Sequence, residues 1–344
     1  MEYFYNYIDK KADSDGYTSF SRFYPEQMEV YSKDPMSKAM SISSAGVVLG
    51  FCATGDIAIK FKCKTSSKLK MFLPVLRQVN INAVLDLVRN LPKRDQKEKL
   101  LLDGIDFVVD GKIIATKQPK RGVMEFCFSS PDKKKREVKI YFPVIFEMEI
   151  KDLKISGNIE ALKKKEQILC LGDSITQGFF SGHPSQNYVA LLAEKLDVYA
   201  VNQGIGGYTY EPESISGLEK MPPLKFITVA YGTNDWYYKP DINAIQKNIA
   251  EYYKKLVSIF PATLIYAITP LWRGDLDSVA ASGVPFSRIA DIIKKETAAY
   301  PSIKLINGLD LLPYDNSYFA DGFLHPSARG FNLFIENLVR FLQA

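Results

Sequence analysis

From residue 167 onward the chain alternates short β-rich runs with stretches of helical periodicity, and this alternation limits the fold more than any other feature. The runs are Ile168 to Leu171, Val198 to Asn202, Phe226 to Tyr231, Leu264 to Thr269 and Ile303 to Ile306. Between and after them, apolar residues recur at helical spacing: Val189, Leu192 and Leu196; Ile242, Ile245, Ile249 and Tyr253; Ile289, Ile292 and Ile293; then Phe331, Phe334, Ile335 and Leu338. Strands that are apolar on both faces and separated by helices imply crossover connections. The expectation over 167–344 is a three-layer α/β/α domain with a five-stranded parallel sheet. Sites in such sheets lie outside the carboxyl ends of the strands.

The preceding half has period two instead. Ile57, Ile59, Phe61 and Cys63 fall on one face with Lys60, Lys62 and Lys64 on the other, and the alternation returns at Val138, Ile140 and Phe142 and at Val144, Phe146, Met148 and Ile150. Asp110-Gly111 between two apolar runs is a hairpin signal. Residues 1–155 are therefore expected to form a jelly-roll-like β-sandwich, joined to the α/β/α domain by a lysine-bearing linker at 156–166. Helical spacing at Val84, Leu87, Val88 and Leu91, followed by a charged stretch, predicts a helical insertion over 81–99.

Composition sets the outer limits. A chain of 344 residues exceeds the usual single domain, and 47% hydrophobic with 24% charged residues is enough to bury a core. The net charge of +5 comes from scattered lysines and local runs such as Lys133-Lys134-Lys135-Arg136, which read as solvated loops, so no nucleic-acid partner is expected. Cys52, Cys63, Cys127 and Cys170 lack metal-ligand spacing and read as buried free thiols. Neither a secretory leader nor a membrane-spanning run is visible, which makes a cytoplasmic location the expectation.

The chemistry gathers at the strand ends. Gly172-Asp173-Ser174 follows the first run of the second half, Gly204-Ile205-Gly206-Gly207 the second, and Gly232-Thr233-Asn234-Asp235 the third. Taken singly, Ser174 fits a helix cap, Asn234 a turn residue, and the glycine turn a phosphate cradle. A serine hydroxyl needs a base to become a nucleophile, and the chain has only two histidines, His183 and His325. His325 precedes Pro326 at the mouth of the last helix, which puts it on the sheet's carboxyl edge, whereas His183 reads as a loop residue or substrate contact. An oxyanion formed at that edge has candidate donors in the glycine turn and in Asn234.

These blocks, in this order, resemble the SGNH (GDSL-like) hydrolase superfamily over residues 167 to 344. The resemblance implies Ser174 as nucleophile, His325 as base, and an oxyanion hole made by the Ser174 N–H, the Gly207 N–H and the Asn234 side chain. One departure stands out: the family usually places its acid three residues before the histidine, and here Asp321 is four before. The resemblance therefore leaves open a triad with Asp321 or a Ser-His dyad, with Asp310 and Asp315 as weaker acids. The β-rich half in front resembles that of two-domain bacterial carbohydrate acetyl esterases.

Aromatics in the same loops, Trp236 above all, with Tyr208, Phe179 and Trp272, are expected to contact substrate by stacking on sugar rings. The reading is a serine esterase acting on acetyl or other short acyl esters of a carbohydrate or small glycoside, requiring no metal or organic cofactor. Lysophospholipase, thioesterase or acyltransferase activity on the same scaffold, and an inactive sugar-binding protein, remain the alternatives. Its partner would be a small-molecule or oligosaccharide ester.

Overall fold

The computed structural model describes residues 3–65, 103–163, 166–276 and 280–343. The helical insertion expected over 81–99 lies outside the described residues.

The first half is an antiparallel sheet of nine strands: β1 (Phe4–Tyr5), β2 (Asp9–Ala12), β3 (Thr18–Ser21), β4 (Val48–Thr65), β5 (Ile105–Val109), β6 (Lys112–Lys117), β7 (Gly122–Phe128), β8 (Lys135–Tyr141) and β9 (Met148–Ala161). Strand β4 is its axis. β9 runs along one edge of β4, while β8 pairs with its first part and β7 with its second. A register shift between Thr54 and Ala58 separates the two parts, so the sheet bends there and folds onto itself. The expected inward set Ile57, Ile59, Phe61 and Cys63 is buried, and the Phe107 and Phe126 rings, from β5 and β7, meet across the core at 5.4 Å. The Asp110-Gly111 turn joins β5 to β6.

Three expectations need correction. Val144 and Phe146 are buried but not in a strand, because the Asp103 carboxylate accepts hydrogen bonds from the N–H groups of Val144, Ile145 and Phe146 and holds them in a bend; β9 begins only at Met148. The stretch read as a linker is strand as far as Ala161. All four cysteines are free, but only Cys63 and Cys170 are buried; Cys127 is exposed and Cys52 half-buried.

The second half is the expected parallel sheet, ordered β11-β10-β12-β13-β14, from β10 (Gln167–Gly172), β11 (Tyr199–Gly204), β12 (Phe226–Ala230), β13 (Leu264–Ile268) and β14 (Ile303–Ile306). Leu169 and Leu171 of β10 pack on one side with the helices Ile242–Ile259 and Ser287–Thr297, and Ile168 and Cys170 on the other with the helices Tyr188–Leu196 and Ala328–Gln343. Alternating side chains on a strand thus feed two cores, which is why these runs are apolar throughout. The chain leaves β10 to pair β11 on one side and β12 on the other, so a crevice opens above β10.

Candidate active site

Ser174 opens a short helix, Ser174–Gln177, directly beyond β10. The Asp173 carboxylate caps that turn by accepting from the Ile175 N–H at 2.9 Å. Burial raises Asp173 to about 6, the rise being limited by that N–H and by the positive character of His325 and Arg273 nearby.

The Ser174 hydroxyl lies 2.8 Å from His325 Nε2, and His325 Nδ1 lies 2.6 Å from Asp321 Oδ2. The two carboxylate oxygens of Asp321 act separately. Oδ1 accepts from the N–H groups of Phe323, Leu324 and His325 at 3.1, 2.9 and 3.0 Å, so the loop wraps around the carboxylate that orients its histidine. Gly322, at φ 84°, makes the turn that takes up the additional residue between acid and histidine. The loop is closed behind by the Ala320 N–H donating to the His325 carbonyl at 2.7 Å.

Burial by itself would raise the Asp321 carboxyl, but the imidazole it faces and the backbone N–H groups outweigh that, holding it below the usual carboxylate range. An ionised Asp321 accepts the proton on Nδ1 and leaves the Nε2 lone pair facing the serine. This arrangement can remove a proton from Ser174.

The neighbouring strand ends supply hydrogen-bond donors. In the turn after β11 the Ile205 N–H donates to Gly172 O at 2.9 Å and the Gly206 N–H to Gln177 Oε1 at 2.8 Å. The N–H groups of Gly207 and Ser174 have no acceptor among the described residues. Asn234, after β12, is buried and donates one amide hydrogen to Tyr208 O at 3.0 Å, keeping a second in reserve.

The aromatics divide. The Phe179 and Phe180 rings flank the His325 imidazole at 5.9 and 5.0 Å. Tyr208 is half-buried and lines a cleft of about 580 Å³ with Gly206, Gly207, Met36, Tyr238 and Lys239. Trp236 does not present a face to ligand: it is 2% exposed, its indole N–H donates to Val284 O at 2.8 Å, and its ring packs on Phe286 and beneath the Arg273 guanidinium. Trp236 is a core residue, which corrects the expectation that it stacks on sugar. Trp272 packs edge-on against Phe319 and Tyr314, away from the cleft lining.

His183 does not join this group. Its Nδ1 lies 3.1 Å from Asp106 Oδ1, and Asp106 also accepts from Ser185 and Thr116, so the imidazole helps tie the loop after Ser174 to the β5–β6 hairpin. Asp310 accepts from the Asn307 amide and Asp315 caps a short turn at Ser317, so neither contacts His325.

Sequence reasoning missed residues 22–45. Helices Pro25–Tyr31 and Pro35–Ser41 pack Phe23, Tyr31 and Met40 against Ile205, and Met36 forms a wall of the cleft beside Gly207. The signal was there: Pro25 and Pro35 each occupy the start of a helix, a position proline favours.

With this geometry in place, comparison with known proteins gives a consistent result. Residues 170–333 match the GDSL-like lipase/acylhydrolase family. Among solved structures, the chain is similar to the salicylyl-acyltransferase SsfX3 of a tetracycline biosynthetic pathway, with TM-score 0.70 and 14% identity over 99% of this chain and 93% of that one. It is also similar to a family two carbohydrate esterase from Cellvibrio japonicus, with TM-score 0.62 and 14% identity over 100% and 95%. A third, a family two carbohydrate esterase from Clostridium thermocellum in complex with cellohexaose, gives TM-score 0.60 and 13% identity over 88% and 93%. These likenesses span both halves and concern the fold. No curated protein sequence matches the chain.

Proposed function

We propose, on the match of residues 170–333 to the GDSL-like lipase/acylhydrolase family, that the protein is a serine esterase working through an acyl-enzyme. The observation that carries this reading is the unbroken line from Asp321 through His325 to Ser174, with contacts of 2.6 and 2.8 Å. Ser174 Oγ attacks the ester carbonyl as His325 Nε2 takes its proton. The carbonyl oxygen, now negative, is met by the N–H groups of Ser174 and Gly207 and the Asn234 amide. His325 returns the proton to the leaving alkoxide, and the same base then activates water to release the acid and restore Ser174. Asp321 orients the imidazole and stabilises its charged form.

The substrate we assign is a short acyl ester, acetyl first, on a carbohydrate. Phe179 and Phe180 crowd the imidazole, leaving little room for a long chain there, whereas the cleft beside Gly207 mixes Lys33, Asp34, Glu211 and Lys239 with Tyr208 and suits a polar alcohol. Acyl transfer to a hydroxyl acceptor is the second reading, favoured by the fold shared with the salicylyl-acyltransferase across almost the whole chain. It uses the same acyl-enzyme and differs only in the deacylating nucleophile.

The test is turnover of p-nitrophenyl acetate by the wild-type protein and its abolition in Ser174→Ala, followed by mass-spectrometric detection of acetate released from acetylated oligosaccharides. No turnover of any short ester removes the esterase reading; product that appears only when a hydroxyl acceptor is added selects the transferase.

A further inference from the structure

Among the described residues Arg22 is the largest fully buried side chain, and its partners there include no carboxylate. Its five N–H bonds are matched one to one. Nε donates to Ser43 O at 3.0 Å; one terminal nitrogen donates to Asn202 O at 2.5 Å and Gly204 O at 3.0 Å; the other donates to Met40 O at 3.1 Å and Ser43 Oγ at 2.8 Å. The guanidinium also lies 4.7 Å from the Phe23 ring centroid. Burial lowers its pKa to about 9, so it remains charged at neutral pH.

A buried cation without a counter-ion costs several kcal/mol in desolvation, which only complete hydrogen bonding offsets. What this cation holds is specific. Asn202 and Gly204 are the last residues of β11, immediately before Ile205-Gly206-Gly207. A second connection reaches the same turn: Ser43 Oγ also accepts from Gln177 Nε2 at 3.0 Å, and Gln177 Oε1 accepts from the Gly206 N–H at 2.8 Å. The turn's carbonyls are therefore fixed from behind by Arg22 and one of its N–H groups from the side by Gln177.

We propose that Arg22 is the positioning residue of the oxyanion turn: drawing the Asn202 and Gly204 carbonyls to itself and anchoring Ser43 beneath Gln177, it fixes the peptide planes so that the Gly207 N–H faces the reacting carbonyl. The inference rests on the esterase reading, since it gives that N–H its use. It also explains why residues 22–45 are built into a hydrolase site that their own side chains do not catalyse.

The experiment uses the full chain with Arg22→Met, Arg22→Lys and Ser43→Ala. For p-nitrophenyl acetate, Arg22→Met should lower kcat by about a hundredfold, the loss expected when an oxyanion donor is misplaced, with KM changed by less than about threefold. Arg22→Lys, which keeps the charge and reaches the Asn202 and Gly204 carbonyls, should recover part of kcat. Ser43→Ala, which removes the hydroxyl shared by Gln177 and one Arg22 N–H but leaves the bonds from Arg22 to the Asn202 and Gly204 carbonyls, should cost less than Arg22→Met. A folded Arg22→Met with unchanged kcat, or with kcat and KM altered while the lysine variant recovers nothing, overturns the proposal. If Arg22→Met does not fold, the Lys and Ser43→Ala pair decides by the same split. Should the wild-type protein hydrolyse no ester, the esterase reading has failed on its own; hydrogen exchange at residues 202–207 then decides, with faster exchange in Arg22→Lys and Ser43→Ala supporting the anchoring and unchanged exchange refuting it.

Discussion

Replacing Asp321 by asparagine separates the two duties of this carboxylate. Oδ1 gathers three backbone N–H groups at 2.9 to 3.1 Å, and Oδ2 meets the imidazole at 2.6 Å. Asparagine keeps the shape. With its oxygen turned to the three N–H groups the loop survives, and its NH2 then faces Nδ1, which must become the acceptor. The ring proton moves to Nε2, so the Ser174 hydroxyl meets a donor where it needs a base. In serine hydrolases with a triad, loss of the tautomer by this substitution lowers kcat by about ten-thousandfold, or about 5 kcal/mol of barrier. Alanine loses both duties, so besides the rate it forfeits three backbone hydrogen bonds, about 1 kcal/mol each. Thermal unfolding should therefore show Asp321→Asn near the wild type and Asp321→Ala clearly below it. Because the Asp321 pKa is depressed in the folded protein, its charge stabilises the fold above its unfolded value and that contribution is lost as pH falls through the folded value. The stability advantage of the wild type over Asp321→Asn should shrink in acid. An asparagine variant that retains more than about a tenth of kcat would refute the triad and leave a Ser-His dyad.

Three further outcomes follow from particular positions. Gly207→Ala should lower kcat and stability together, since a Cβ there lies 2.7 Å from Met36 Cε on a backbone at φ 78°; an unimpaired variant would show that the turn yields without consequence. Trp236→Ala should cost about 3–5 kcal/mol of unfolding free energy without selectively raising KM for sugar esters over p-nitrophenyl acetate, and a KM effect confined to sugar esters would return the residue to substrate contact. Burial pushes Asp235 up to about 7, so its carboxyl favours the fold below its unfolded pKa and progressively less as pH rises towards 7. Asp235→Asn, which can still accept from the Tyr210 N–H, should therefore gain stability relative to the wild type between about pH 4 and 7, as measured by denaturant unfolding, and a difference independent of pH would refute the buried charge.

What was legible in the sequence was what is local in the chain. Strand periodicity, the two-core pattern of β10 and the placement of Ser174, the glycine turn and Asn234 at successive strand ends follow from runs of fewer than about ten residues each, combined with the rule for parallel sheets. The extra residue between Asp321 and His325 looked like a departure because spacing counts residues, whereas the structure counts hydrogen bonds: a turn at Gly322 and three N–H groups on one oxygen bring the imidazole back to the other. Trp236 was misread because adjacency to Asn234 says nothing about direction. On the short helix Thr233–Tyr238 the two side chains diverge, and the indole turns into the core while Asn234 bonds Tyr208 O. The Val144 to Phe146 bend has an alternating pattern but is set by Asp103, far off in sequence, and no periodicity could reveal that carboxylate beneath it.

The same distinction bears on what the antiparallel half is for. Three separate contacts between the halves bury charge: Lys139 of β8, 4% exposed, reaches Glu194; Asp106 of β5, 0% exposed, gathers His183 and Ser185; and Arg22 holds the end of β11. Removing one partner of such a contact by substitution while the other charge stays buried would cost several kcal/mol, so each contact fixes how its two segments meet. The placement of these contacts is also selective. Ser185 and His183 lie in the loop that follows Ser174, and Arg22 lies behind the turn that carries Gly207, so two of the three anchor segments that flank the candidate site. A sandwich serving only to collect ligand would need none of this; one that sets the backbone of the site would need contacts in these places.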